Sequence, residues 1–261
     1  MPLTHHRTTP FFALPTAFAA LLAVAIACSA PEQNGDPAPE SDATASVAPN
    51  PAVVVELIAS GEVAFAIFSG AITQEEGALM GRGEELDLVF YSLESGPFDP
   101  RVLRIPPIRE GVETAEANVA EAINAGVAAI FFPRVESAED AAVAVAAMGD
   151  DHWPGNPSGS RFSMLIVETR AGVERVDEIV GTEGVSVVFA GPDDLRESYG
   201  GDMEAVESAI QSVLAACRAH RVPCGITADV NDIAERMEQG FQMIIVSDSA
   251  ALTAGRAAAG R

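Results

Sequence analysis

Short apolar segments alternate with longer amphipathic segments along most of the chain. Eight apolar segments have the short, continuous form of parallel strands buried on both faces, and they lie at 63–68, 86–91, 102–105, 128–132, 163–167, 186–189, 224–226 and 243–246. Most of the segments between them show the apolar spacing of helices, as at 203–219, and Ser137 followed by Asp140 is typical of a helix start. This alternation predicts an α/β fold, and eight such strands predict a (β/α)8 TIM barrel. A doubly wound open sheet is the alternative, but the sequence contains no glycine-rich phosphate-binding loop to support it.

The connection between the second and third predicted strands is unusually short. Only residues 92–101 join the segments 86–91 and 102–105. Parallel neighbours normally need a crossover of about a dozen residues or more, usually with a helix. Either the barrel lacks the outer helix between these two strands, or segment 102–105 is not an ordinary strand.

Residues 1–27 have the features of a secretory signal. Arg7 precedes an apolar run that ends in small residues directly before Cys28. The position of this cysteine resembles a bacterial lipoprotein signal, which implies an exported chain that is lipid-anchored through Cys28 at the cell envelope. A plain signal peptide and an uncleaved membrane helix are the alternatives. The expected organisation is a signal peptide at 1–27, a disordered tether at 28–50 and a barrel at 51–261.

The chain is strongly acidic, with a formal net charge of −23. This charge argues against binding to nucleic acid or to an anionic lipid surface, because both need clustered Lys and Arg side chains. The only expected contact with a membrane is therefore the lipid anchor. Hydrophobic residues make up 48% of the 261 residues, which is enough for the core of a single barrel of about 250 residues.

The three cysteines and four histidines form no pattern typical of a zinc site. Cys217 and Cys224 are expected to be small buried residues, and a disulfide between them is the alternative if the chain is exported. His152 and His220 follow helical segments and are expected on the surface, away from the chemistry.

Polar residues follow the predicted strands at their carboxyl ends, where the active residues of barrels lie. Glu168 follows the fifth predicted strand, and Asp194 comes after the sixth. Because neighbouring strands lie about 4.8 Å apart, these two carboxylates can share a divalent cation, Mg²⁺ or Mn²⁺. Arg104 lies near the end of the third predicted strand, and Arg134 follows the fourth. Both are expected at the same edge and are candidates to bind a carboxylate or an enolate oxygen. The turn that begins at Gly191 can offer backbone N–H groups to an anion.

Four segments, at 90–99, 125–133, 167–173 and 189–195, resemble the HpcH/HpaI aldolase/citrate lyase family. The glutamate and the aspartate of the family's metal site fall on Glu168 and Asp194, which are 26 positions apart, as in the family. The resemblance implies a metal-dependent class II aldolase, a lyase that forms or cleaves 4-hydroxy-2-oxo acids through a pyruvate enolate. Its implied partners are a small 2-oxo acid and further copies of the chain in a homo-oligomer. It also implies that Arg104 binds the enolate and that the turn containing Gly191 and Asp193 binds the substrate carboxylate.

One motif departs from the family. The family has Asp-x-Glu-His-Gly where this chain has Ser92-Leu93-Glu94-Ser95-Gly96, so Ser95 replaces the histidine that transfers protons. A serine hydroxyl is a weak base near pH 7, and losing general base catalysis costs about 10²–10⁴-fold in rate. The remaining candidates for this role are Glu94 and a metal-bound water, and the sequence does not decide between them. The alternative function is a catalytically degenerate envelope lipoprotein that binds a 2-oxo acid or a metal without turnover. A CoA-ester lyase is a third interpretation, weakened by the acidic surface.

Lipidation at Cys28 predicts where the chain is found after cell fractionation. The chain should be recovered with membranes, and the Cys28→Ser variant should be recovered in the aqueous fraction, because an acyl chain contributes about 0.8 kcal/mol of membrane binding per buried CH₂ group. Immunoblots of the two fractions measure this distribution. A Cys28→Ser chain that stays with the membranes would favour an uncleaved membrane helix instead.

Overall fold

The structure is a computed structural model that describes residues 51–69, 85–91, 104–127 and 129–261. The predicted signal and tether, with Cys28, lie outside the described residues, as do Glu94 and Ser95. Within the described ranges, no helix is long and apolar enough to cross a membrane.

The described residues form a single sheet of seven parallel strands. The strands are β1 (Ala64–Ser69), β2 (Leu88–Tyr91), β3 (Ala129–Phe132), β4 (Phe162–Val167), β5 (Val187–Ala190), β6 (Cys224–Ala228) and β7 (Met243–Val246). Their order across the sheet is β2-β1-β7-β6-β5-β4-β3. Parallel strands connected by helices confirm the predicted α/β class.

In the described ranges, helices follow each of the strands β3 to β7 and cover the outside of the sheet. The helices are α1 (Pro51–Ser60), α2 (Val112–Asn124), α3 (Ala138–Ala147), α4 (Arg170–Glu174), α5 (Val176–Val180), α6 (Pro192–Ser198), α7 (Met203–His220), α8 (Ile233–Glu238) and α9 (Ser249–Ala258), and a 3₁₀ turn, Ile108–Glu110, precedes α2. The predicted start of α3 is confirmed, since the Ser137 hydroxyl accepts a hydrogen bond from the Asp140 backbone N–H at 3.1 Å. Such a cap satisfies an N–H group that has no partner inside the helix.

Of the third predicted strand, 102–105, the structure describes only Arg104 and Ile105, and 102–103 lie outside the described residues. Arg104 pairs with Phe131 of β3, and the Ile105 N–H donates to the Phe131 carbonyl at 3.3 Å. The next two residues, Pro106 and Pro107, have no N–H group and cannot extend a ladder of hydrogen bonds. As a result, β2 and β3 are the edge strands of the described sheet.

These two edges nevertheless approach each other. The rings of Phe90 in β2 and Phe131 in β3 pack edge to face, with centroids 3.9 Å apart. Strands at opposite ends of a flat sheet could not make this contact, so the sheet is strongly curled. Complete closure into an eight-stranded barrel stays a prediction.

The sheet is buried on both faces because successive side chains along each strand point to opposite sides. The inner face carries large apolar side chains, among them Phe90, Phe131, Phe162, Met164 and Phe189. Helix α1 covers the amino-terminal edge of this inner core with Val54, Val55 and Ile58. The outer face packs against the helices through side chains such as Phe65, Ile130, Phe132, Leu165 and Ile244. Each fully buried side chain of this size contributes about 1.5–3 kcal/mol.

His152 is buried, so its predicted place on the surface is wrong. Its Nε2 lies 2.7 Å from the Ser186 hydroxyl and 3.0 Å from the Ser163 hydroxyl, and it accepts from the Ser163 N–H at 3.2 Å. Both serines lie at the amino-terminal ends of strands, where they tie the loop that carries His152 to β4 and β5. Burial, with a smaller effect of the Arg161 charge, lowers the pKa of His152 from 6.5 to about 4.

The lowered pKa of His152 predicts a loss of stability in acid. The folded chain keeps His152 neutral, whereas the unfolded chain takes up a proton below about pH 6.5. The contribution of neutral His152 to the free energy of unfolding is therefore fully present above about pH 6.5. It is lost as the pH falls towards 4, by about 3 kcal/mol in total. Urea unfolding of the parent chain and of His152→Gln from pH 8 to pH 4 should show the parent's stability falling more steeply below about pH 6.5. Parallel pH curves for the two proteins would contradict this assignment.

Candidate functional site

Polar residues converge where β3, β4 and β5 end. Arg134 lies two residues after β3, Glu168 directly follows β4, and Gly191 directly follows β5. Asp194 lies in the first turn of α6, three residues after Gly191. Since β3, β4 and β5 are neighbours in a parallel sheet, all of these residues lie at its carboxyl edge.

Glu168 is the most buried acidic residue of this group, with 2% of its side chain exposed. Its Oε1 atom accepts a hydrogen bond from the Arg134 backbone N–H at 2.9 Å. The same oxygen lies 3.5 Å from Nη2 of Arg104, which comes from the other side of β3 through its bridge to Phe131. A buried carboxylate without such partners would cost several kcal/mol, so these contacts help to hold the Glu168 side chain in place.

Arg134 connects the two candidate metal ligands. Its φ angle of 52° lies in the left-handed region, which is uncommon for a residue with a side chain. In this conformation its backbone N–H contacts Glu168, while its side chain, 55% exposed, brings Nη2 to 3.7 Å from Oδ1 of Asp194. One arginine therefore touches both carboxylates, through its main chain and through its guanidinium.

Gly191 allows the close approach of β5 to Glu168. A Cβ atom on Gly191 would lie 2.8 Å from Cβ and 3.0 Å from Oε2 of Glu168. The Gly191 N–H donates to the Val167 carbonyl at 3.2 Å, so the backbone cannot easily move away. The glycine is required here for space rather than for its conformational freedom, because its φ angle is −90°.

Asp193 is oriented differently from Asp194. It is 85% exposed, and its carboxylate pairs with Arg196 at 3.3 Å. Together with Asp194, these residues line a shallow depression of about 440 Å³ at the start of α6. The structure therefore brings Glu168, Arg104, Arg134, Gly191 and Asp194 together, and it places the Asp193 side chain at the solvent side of the group.

A supporting network beside Glu168 was missed by the sequence analysis. The Thr169 hydroxyl donates to Oε1 of Glu136 at 2.8 Å, and Oε2 of Glu136 pairs with Arg109 at 2.7 Å. Asp140 accepts from the Arg109 Nε at 3.0 Å and from the Glu136 N–H at 3.0 Å. These contacts hold the ends of β3 and β4 against α3. The only local signal was the cap at Ser137, because Arg109 lies far away along the sequence.

The donor set at this edge fits a hard divalent cation. Carboxylate oxygens are the ligands that Mg²⁺ and Mn²⁺ prefer, and Mg²⁺ is often held by one or two carboxylates while water and substrate complete its shell. Glu168 and Asp194 are the candidates for these two carboxylates. Across the described ranges, no cluster of three or more His, Cys, Asp or Glu side chains is placed to hold a metal, so other oxygens would have to complete the coordination.

Comparisons with known proteins give a matching family, similar sequences and a shared fold. The model of the HpcH/HpaI aldolase/citrate lyase family matches residues 94–252. A 5-keto-4-deoxy-D-glucarate aldolase of Salmonella arizonae is 40% identical over 105 residues, which are 38% of this chain and 41% of the relative. The aldolase of the same name from Citrobacter koseri is 37% identical over 95 residues, 34% of this chain and 37% of the relative. The chain thus spans about two-fifths of the length of these curated relatives.

Solved structures share the fold at low sequence identity. An HpcH/HpaI aldolase/citrate lyase family protein from Burkholderia cenocepacia superposes with a TM-score of 0.63 and 24% identity, and it covers 80% of this chain and 97% of its own. The CitE protein of Mycobacterium tuberculosis, in complex with magnesium and pyruvate, has a TM-score of 0.56 and 18% identity over 76% of this chain and 90% of its own.

The close contact at Gly191 predicts that this position does not tolerate a side chain. Gly191→Ala should lower the free energy of unfolding by about 1–3 kcal/mol, because its Cβ would force Glu168 away from Arg134. The Arg134 amide resonance should shift in the same variant, as its acceptor moves. Gly155→Ala is the matched control, since its Cβ would lie at an ordinary 3.6 Å from the His152 carbonyl. Equal unfolding energies for the two variants would refute the close approach.

Proposed function

Because the chain belongs to the HpcH/HpaI aldolase/citrate lyase family, we propose that it is a metal-dependent class II aldolase-like lyase that acts on a 2-oxo acid. The reaction would form or cleave a 4-hydroxy-2-oxo acid through a pyruvate enolate. The observation that carries this proposal is the buried Glu168 carboxylate, held by Arg104 and Arg134 at the carboxyl edge of the sheet. Support also comes from relatives named as 5-keto-4-deoxy-D-glucarate aldolases and from the fold shared with a magnesium- and pyruvate-bound protein.

Glu168 and Asp194 are the residues that would hold Mg²⁺ or Mn²⁺. When bound, the cation would supply a Lewis acid for the oxygens of the 2-oxo acid. Glu168 is already fixed by two contacts, so little reorganisation would be needed on its side. Asp194 is partly exposed and pairs only at 3.7 Å with Arg134, which is a weak ion pair that a divalent cation could replace.

The arginines are suited to the two anionic parts of a 2-oxo acid. Arg104 is largely buried, so its charge is little screened by water and would stabilise negative charge on an enolate oxygen. Arg134 is more exposed and is available to the substrate carboxylate. The family resemblance assigns the same carboxylate to the turn at Gly191 and Asp193.

Proton transfer is the step for which this chain departs from its family. Ser95 occupies the position of the family's histidine, and Glu94 is the neighbouring group that could accept a proton. This replacement favours a second candidate function, in which the protein binds a 2-oxo acid and a metal without turnover. The proposal of an exported chain, anchored at the cell envelope through Cys28, is compatible with either function, as is a homo-oligomer.

Loss of the Glu168 charge tests the lyase proposal. Purified protein with Mg²⁺ or Mn²⁺ should release pyruvate from a panel of 4-hydroxy-2-oxo acids, and Glu168→Gln should lower kcat/KM by about 10²-fold or more. Glu174→Gln makes the same chemical change at an exposed position of α4 and should retain the parent's activity. Pyruvate release is measured by its reduction with lactate dehydrogenase and NADH.

Calorimetry separates the second function from the first. Metal-dependent binding of pyruvate, abolished by Glu168→Gln but without turnover of any acid in the panel, would replace the lyase by a binding protein. Neither turnover nor binding would exclude both functions.

A further inference from the structure

The two cysteines in the described residues meet at the amino-terminal edge of the sheet, opposite the Glu168 edge. Cys217 lies in the last turn of α7, and Cys224 is the first residue of β6. Both side chains are buried, and their Sγ atoms are 2.8 Å apart.

Backbone hydrogen bonds hold both cysteines in this arrangement. Arg221 follows the last residue of α7, and its left-handed φ angle of 58° turns the chain out of the helix. The Val222 N–H then donates to the Cys217 carbonyl at 2.9 Å. On the other side, the Gln242 N–H donates to the Cys224 carbonyl at 2.8 Å, and the Val188 N–H donates to the Pro223 carbonyl at 3.1 Å. The proximity of the two sulfur atoms is therefore a property of the helix end and the sheet.

We infer that Cys217 and Cys224 form an intrachain disulfide bond under oxidising conditions. A disulfide has an S–S distance of about 2.05 Å, so the two sulfur atoms need to approach by only about 0.8 Å. Rotations about the two Cα–Cβ bonds are the expected source of this movement.

The oxidant is a small-molecule disulfide such as glutathione disulfide. One protein thiol loses its proton, and its thiolate attacks the oxidant, forming a mixed disulfide and releasing one glutathione thiol. The second protein thiol then loses its proton and displaces the second glutathione. The protein loses two hydrogen atoms in total, and the oxidant is reduced to two thiols.

A cavity adjoins the buried pair of cysteines. It has a volume of about 400 Å³ and is lined by Cys217 and Cys224 together with Trp153, Arg218 and Arg221. Burial raises the pKa of the Cys224 thiol, so few thiolates form near neutral pH and the reaction accelerates as the pH rises. Arg218 and Arg221, at the rim, suit an oxidant that carries carboxylates.

The bond would stabilise the fold without touching the proposed active site. It would close a short loop, from residue 217 to residue 224. For a loop of this size, the expected increase in Tm is about 5–10 °C. The sulfur pair lies at the edge of the sheet opposite Glu168, so the inference stands or fails independently of the lyase proposal.

Peptide mapping of the full chain tests the bond directly. The protein is refolded from denaturant at pH 8 with glutathione disulfide, or with dithiothreitol, then alkylated and digested with trypsin. Cleavage after Arg218 and Arg221 places Cys217 in the peptide 197–218 and Cys224 in the peptide 222–236. The oxidised sample should contain these two peptides joined, and dithiothreitol should separate them.

Variants assign the effect to this pair. Cys217→Ser and Cys224→Ser should each abolish the joined peptides and the difference in Tm between oxidised and reduced protein. Cys28→Ser should retain both. Refolded protein in which both cysteines are alkylated, carry glutathione, or are joined to Cys28 would overturn the inference.

Discussion

A parallel sheet has to bury both of its faces, and in this chain that requirement shapes the whole fold. The outer face is covered by helices, and the inner face is filled by aromatic and large aliphatic side chains of the strands themselves. Contact between Phe90 and Phe131 shows how far the sheet curls to enclose them. Because apolar side chains fill the interior, polar functional groups are expected at the two edges of the sheet, where the strands begin and end.

At the carboxyl edge of the sheet, the buried side chain of Glu168 determines how its neighbours are arranged. Glu168 requires partners because an isolated carboxylate in the interior is costly, and it finds them in the Arg134 N–H and the Arg104 guanidinium. The unusual backbone of Arg134 and the absence of a side chain at Gly191 are consequences of this arrangement. The same contacts that stabilise buried Glu168 also fix its carboxylate at the place where we propose that a cation and an oxo acid bind.

The amino-terminal edge of the sheet carries histidine, serine and cysteine side chains instead. His152 is enclosed by two serine hydroxyls, and Cys217 and Cys224 are in contact. These are reactive residue types, but at this rim they connect loops and helix ends to the starts of strands. Ligand chemistry is therefore proposed at the carboxyl edge, whereas the residues at the amino-terminal edge affect stability. The buried His152 makes the fold sensitive to acid, and the proposed disulfide would make it more resistant to unfolding.

Much of this organisation follows from the sequence alone. Seven of the eight predicted strands were confirmed, since continuous apolar runs can be hidden only inside a two-faced sheet, and strand-end position selected Glu168, Asp194, Arg104 and Arg134. Other features depended on tertiary contacts. The single bridge at Arg104, the burial of His152 and the Glu136 network with Arg109 join residues that are distant in sequence. Local periodicity determines which side chains are buried, whereas the order and curl of the strands decide which of them meet.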